Sequence, residues 1–173
     1  MRFQGTCYRA HDPQWAFSPL SGEGARLKGG RFNSVGEEAL YLALTIEGMF
    51  LEMGHGLAYR FDPLTVCSYG VDVSDIVDLR SESGRNAVRV SLGDLGCAWA
   101  LDIAEGREPP SWAIGAKLRR AGAAGLLVQS FARGTRPDRH HNLVLWKWGS
   151  DLPHRVTVHD PASRLPRDRS SWK

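Results

Sequence analysis

The segment Ser21–Glu52, SGEGARLKGGRFNSVGEEALYLALTIEGMFLE, constrains this chain more than any other part of it. At its centre Ala39-Leu40-Tyr41-Leu42-Ala43-Leu44 is an unbroken apolar run of strand length, which reads as a buried strand. Thr45 follows as an N-cap, with Glu47 in the first turn of a helix that carries Glu52. Ahead of the strand, Gly22, Gly24, Gly29 and Gly30 predict a loop that can take conformations closed to other residues. Arg31 comes next, on a predicted short strand, where a fixed guanidinium can grip a phosphate or carboxylate through paired hydrogen bonds. A cationic clamp, an aromatic plate and a carboxylate are thereby brought together, which suits a phosphorylated substrate with a cationic ring. Nicotinamide adenine dinucleotide (NAD) fits that description.

The rest of the chain supplies a sheet and a few helices. Thr6–Ala10 predicts a first strand, with Tyr8 and Arg9 on opposite faces. His11–Pro19 reads as a loop anchored by Trp15 and Phe17. Asp62-Pro63 is a turn signal before a strand over Leu64–Val73, and Ser74–Leu79 extends that strand or pairs with it. Ser81–Arg89 is polar and predicts a loop. Ser91 predicts an N-cap for one helix reaching about Glu105, and Ser111 caps a second through Arg120, stopped by Gly122. Gly125–Gln129 is a short apolar strand delivering Ser130 at its end. A basic loop, Phe131–His141, precedes strands over Asn142–Trp148 and Arg155–His159. Strands outnumber helices without alternating with them, which predicts an α+β fold. No G-x-G-x-x-G joins a strand to a helix, so a doubly wound nucleotide-binding sheet is not expected.

Each candidate group has an ordinary structural explanation as well. Arg31 can be an exposed strand arginine, but its flanking glycines permit a ligand to approach the backbone. Tyr41 can be a core aromatic with a satisfied hydroxyl. Glu52 is the most telling, because a carboxylate among Phe50, Leu51 and Met53 needs a reason to be there. Glu47 competes with it, although the helix dipole already explains an acid in the first turn. Ser130 sits where a strand passes into a loop, a place where functional residues gather. His140 and His141 read as solvated loop histidines, and no acidic cluster beside them completes a metal site.

At 173 residues the chain is long enough for one domain with a real core. Cys7, Cys67 and Cys97 are odd in number and form no C-x-x-C, which points to a reducing compartment and away from disulfides or zinc. No apolar run is long enough to span a bilayer and no signal peptide opens the sequence, so the expected location is the cytoplasm. The net charge of +3 is too small to favour a nucleic-acid-binding protein or nuclease, the remote alternative. Arg155, Arg164, Arg167, Arg169 and Lys173 make the C-terminus basic, and residues 161–173 read as a solvated tail after a single domain over 1–160.

The order of WAFSPLSGEGA, GGRFN, ALYLAL, Glu52, LLVQS and NLVLW, from about Tyr8 to Trp146, resembles the RES-domain family, named for its Arg, Glu and Ser. Here these residues are Arg31, Glu52 and Ser130. The resemblance implies an ADP-ribosyltransferase-like fold, a mixed β-sheet core with flanking helices and a cleft for NAD. It also implies a bacterial toxin held by an antitoxin that has an Xre-like helix-turn-helix part and a part blocking the active site. Some family members degrade NAD by hydrolysis or phosphorolysis. Others transfer ADP-ribose to a protein, an enzyme of nucleotide synthesis among them. The S-T-S strand and E-x-E pair of arginine-modifying transferases are absent, so the tyrosine–glutamate arrangement, Tyr41 with Glu52, is the nearer match.

On this reading Glu52 accepts from the nicotinamide ribose and stabilises the oxocarbenium-like state. Tyr41 borders the nicotinamide ring. Arg31 holds a phosphate or ribose oxygen, helped by N–H groups around Gly29 and Gly30. Ser130 and Asn142 hydrogen-bond the ribose or Glu52, and Tyr8 and Arg9 serve the amide and pyrophosphate. NAD is expected as cosubstrate, with no metal. The basic loop before Asn142 favours transfer to a protein acceptor, with NAD glycohydrolysis or phosphorolysis as the alternative.

Overall fold

The computed structural model describes residues 1–54 and 63–170. Seven strands are β1 (Phe3–His11), β2 (Leu40–Ala43), β3 (Thr65–Val73), β4 (Ile76–Asp78), β5 (Gly125–Gln129), β6 (His141–Leu145) and β7 (His154–Val158). They form one sheet in the order β4-β5-β6-β2-β1-β3-β7, in which β4 and β5 run parallel and the other neighbours antiparallel. The helices are α1 (Glu23–Lys28), α2 (Ile46–Met53), α3 (Glu82–Ala87), α4 (Leu92–Leu95), α5 (Trp99–Ala104) and α6 (Pro110–Arg120). The fold is α+β, as the sequence predicts. No helix among the described residues is long and apolar enough to cross a membrane.

The two faces of the sheet bury different sets of side chains. On one, Phe32, Leu79, Leu95, Ile114, Leu118, Leu126 and Val128 pack beneath α4 and α6. On the other, Cys7, Leu40, Leu42, Tyr69, Leu127, Leu143, Leu145 and Val156 come entirely from strands, so the sheet coils onto itself. Both faces of β5 are therefore covered, which explains why its apolar run does not alternate. The coil also carries Ser74–Asp75, two residues, from β3 to β4, strands that stand sixth and first in the sheet. The segment Ser74–Leu79 neither extends β3 nor pairs with it; β4 pairs with β5.

Other departures have local causes. The glycine-rich segment is not all loop: the Ser21 hydroxyl accepts the Glu23 N–H and Arg26 pairs with Glu23, which closes α1. Ser81–Arg89 contains α3, capped by the Ser81 hydroxyl accepting the Gly84 N–H. The single helix expected from Ser91 breaks into α4 and α5, because the Leu95 and Cys97 carbonyls accept from Arg31 instead of from the next turn. Pro109, not Ser111, occupies the N-cap of α6, and Ser111 is buried in its first turn. The C-terminal residues are mostly exposed, but they are not simply solvated: Leu165 packs on the strand core and Arg169 stacks on Trp15, 4.0 Å from the ring centre. Asp62 of the turn signal and Lys173 of the tail lie outside the described residues.

One buried polar pair makes stability depend on pH. His11 Nε2 lies 2.5 Å from the Tyr69 hydroxyl, which donates to the Pro19 carbonyl. Burial, with help from the Arg9 charge, lowers the His11 pKa to about 4. Between the ordinary histidine value of about 6.5 and that figure, the unfolded chain binds a proton that the native protein refuses. Stability is thus full above about pH 6.5 and falls as the pH drops towards 4, by on the order of 2–3 kcal/mol. Burial shifts His141 in the same direction and adds to the loss. Melting temperature should fall steadily from pH 7 to pH 4.5, and H11Q should flatten that slope; an unchanged slope would clear His11 of the effect.

Candidate active site

Arg31 does not sit on a strand. It occupies a tight turn closed by a bridge between Gly30 and Asn33, whose N–H and carbonyl meet at 3.0 Å. Four side chains hold that turn. The Trp112 indole donates to the Gly30 carbonyl at 2.7 Å and the Trp146 indole to the Phe32 carbonyl at 3.1 Å. The Tyr41 hydroxyl accepts the Phe32 N–H at 2.9 Å and donates to Asn33 Oδ1 at 2.8 Å. Arg31 Nη1 donates to the Cys97 carbonyl at 2.6 Å and the Leu95 carbonyl at 3.2 Å, and the guanidinium lies 4.9 Å from the Phe131 ring centre. Burial pulls its pKa below the usual arginine value. No carboxylate pairs with it among the described residues.

Glu52 approaches from α2, whose entry is fixed by the Thr45 hydroxyl accepting the Gly48 N–H. Its Oε1 accepts from the Ser130 hydroxyl and from Asn142 Nδ2, both at 2.5 Å. Oε2 has no partner among the described residues. Ser130 is itself fixed, since its oxygen accepts the Ala132 N–H at 3.2 Å. It does not line the cleft; it stands behind Glu52. Glu47 faces elsewhere, with its carboxylate 3.2 Å from His140 Nε2 and 3.5 Å from Arg139, and the nearness of His140 is the main reason its carboxyl stays below the usual range. His140 is buried, not solvated, with Nδ1 accepting the Arg136 N–H.

These groups surround one cleft of about 520 Å³, within the range of small-molecule sites. Tyr8, Arg9, Gly29, Gly30, Arg31, Tyr41, Glu52 and Asn142 all line it. Tyr8, Ala43 and Asn142 stand in one row across β1, β2 and β6. Arg9 Nη1 donates to the Ser21 carbonyl at 3.0 Å, and burial lowers its pKa. One expectation fails in detail. The Gly29 N–H is taken by the Ala25 carbonyl and the Gly30 N–H by the Asn33 carbonyl, so neither is free for a phosphate. Among the described residues, no three His, Cys, Asp or Glu side chains converge as a metal site would require.

A family model described as the RES domain matches residues 6–168. The chain belongs to the RES family. It is 31% identical over 150 residues to the NAD(+) phosphorylase MbcT of Mycobacterium tuberculosis strain H37Rv, a match covering 78% of this chain and 77% of that protein. MbcT of Mycobacterium bovis matches to the same extent. The crystal structure of the M. tuberculosis MbcT–MbcA toxin–antitoxin complex is similar with a TM-score of 0.62 and 24% identity, over 92% of this chain and 84% of that one, a likeness of fold.

Sequence reasoning missed several parts of this RES domain. Lys28, Met49, Trp99 and Phe131 also line the cleft. Phe131 directly follows Ser130, and its aromatic side chain beside a strand end was a usable signal. Lys28 and Trp99 had none, since their places depend on how α1 and α5 sit. Gly30 is a tight packing constraint in the cleft: a Cβ there would meet Tyr41 Oη at 2.6 Å and Asn33 Oδ1 at 2.7 Å. G30A should therefore lower stability by about 1–3 kcal/mol, a melting-temperature drop of roughly 2–10 °C for a chain of this size. A melting temperature equal to the parent's would mean the turn yields freely.

Proposed function

We propose that this chain cleaves NAD at the bond between nicotinamide and its ribose and passes the ADP-ribosyl group to inorganic phosphate. The products are nicotinamide and ADP-ribose 1″-phosphate. The observation that carries this reading is the Glu52 carboxylate, oriented on one oxygen by Ser130 and Asn142 inside a cleft that also holds two arginines. It is supported by the phosphorylase activity named for the relatives at 31% identity. The basic loop before Asn142 gives little support to transfer onto a protein. Its Arg136 pairs with Asp138 and its Arg139 with Glu47, which leaves less free charge to recognise an acceptor.

The mechanism follows from the charges. Nicotinamide leaves as a neutral ring, so no acid has to protonate it. The ribose carbon left behind is oxocarbenium-like, and a carboxylate beside it stabilises that charge. With Oε1 engaged by Ser130 and Asn142, Glu52 presents Oε2 to a ribose hydroxyl. The Tyr41 ring borders the nicotinamide. Arg31 and Arg9 each use Nη1 on backbone carbonyls, and their remaining N–H groups serve the phosphate oxygens. We further propose a protein antitoxin as partner, in line with the structural neighbour solved as a toxin–antitoxin complex; its helix-turn-helix part follows from the family resemblance alone.

Nicotinamide release by the purified protein should rise with phosphate concentration, with ADP-ribose 1″-phosphate visible by phosphorus NMR. Release indifferent to phosphate would make the enzyme a hydrolase, and label appearing on one protein band in lysate would make it a transferase. E52Q should slow release by about 10²-fold or more; full turnover would remove Glu52 from the chemistry. R31A should weaken NAD binding by calorimetry, and an unchanged affinity would move the clamp to Arg9.

A further inference from the structure

The turn that carries Arg31 is held by a side chain that does not line the cleft. Asn33 is fully buried. Its Nδ2 donates to the Ala25 carbonyl at 2.9 Å and the Glu37 carbonyl at 2.8 Å, with the Ser34 carbonyl at 3.1 Å sharing a hydrogen. Its Oδ1 accepts from the Tyr41 hydroxyl, and its own carbonyl accepts the Gly30 N–H. One amide thus joins α1, the segment leading into β2, and β2 itself.

The direction of these bonds matters. Because the Tyr41 proton points at Asn33 Oδ1, a lone pair of the same hydroxyl is left to accept the Phe32 N–H. Gly30 and Phe32 are therefore both fixed, one on each side of Arg31. Neither a carboxylate nor an alkyl group does the same work at position 33. Aspartate would set negative charge against the Ala25 and Glu37 carbonyls, and leucine would leave those carbonyls and the Tyr41 hydroxyl unpaired.

We infer that Asn33 is a positioning residue for Arg31, setting the direction in which the guanidinium enters the cleft through the turn and the Tyr41 hydroxyl. It touches no substrate. Its consequence for NAD turnover rests on the function proposed above, but the clamp itself does not.

A double-mutant cycle tests the inference. N33A, R31A and the double variant are compared by kcat/KM for nicotinamide release. A shift of about 1 Å in a substrate-gripping group can lower the rate by about 10²-fold, so N33A should lose roughly 10- to 100-fold in the presence of Arg31. In the R31A background it should lose less than about twofold, because the group it acts through is gone. Equal losses in both backgrounds would overturn the inference and leave Asn33 a general support of the fold. Should N33A fail to fold, Y41F keeps the ring, removes the hydroxyl and enters the same cycle.

Amide hydrogen exchange reads the clamp without any activity. The Phe32 amide should be protected in the parent protein and lose protection in N33A, while the β5–β6 amides keep theirs. A Phe32 amide exchanging freely in the parent overturns the clamp outright. Protection of this kind in a protein that releases no nicotinamide supports the clamp and counts against the NAD reading alone.

Discussion

The Tyr41 hydroxyl, accepting from the Phe32 N–H while donating to Asn33, is the contact on which the site depends. Tyr41 belongs to β2, the middle strand of the sheet. Through one oxygen the sheet fixes a turn that no regular element contains. Trp112 from α6 and Trp146 from just beyond β6 grip the two carbonyls flanking Arg31. The burial of that hydroxyl, which raises its pKa, keeps its proton in place for the bond to Asn33. Rigidity at this position is what lets a single cation be presented at a defined angle.

The carboxylate side of the cleft uses a different device. Glu52 rides on a short helix, and a helix alone sets a side chain only loosely. Ser130 and Asn142, from the ends of β5 and β6, correct this by converging on one oxygen. The acid is thereby aimed by the sheet even though it is carried by a helix. Strands thus help to orient both halves of the cleft, the cation through Tyr41 and the anion through Ser130 and Asn142.

Much of this was legible in the sequence where the signal is local. The apolar run ALYLAL, the Thr45 cap and the strands read at Leu64–Val73 and Gly125–Gln129 each carry their own local signal, and the structure follows them. Glu47 had a local explanation in the helix dipole and Glu52 had none, but beyond that the choice between them rested on the order of the family's residues. What was not legible depends on distant partners. The break between α4 and α5 is written in Arg31, far upstream, and the turn around Arg31 is written in Trp112 and Trp146. The crossing of β4 to the far edge follows from the coil of the whole sheet, which no window of sequence records. Transfer to a protein was favoured on the charge of a loop whose arginines turn out to be largely matched by nearby acids.

The way Arg31 is anchored also bears on how such a protein can change over generations. Its guanidinium holds the main-chain carbonyls of Leu95 and Cys97, not their side chains. Every amino acid offers the same carbonyl, so the grip itself does not depend on which residues stand there; Leu95 is held instead by its burial in the core, and Cys97 by its thiol contact with Ser111. Gly96 between them is constrained as well, since a Cβ there would press on Phe131 at 3.0 Å. What the arginine requires of this segment is the path of its main chain, a demand that residue types alone do not record.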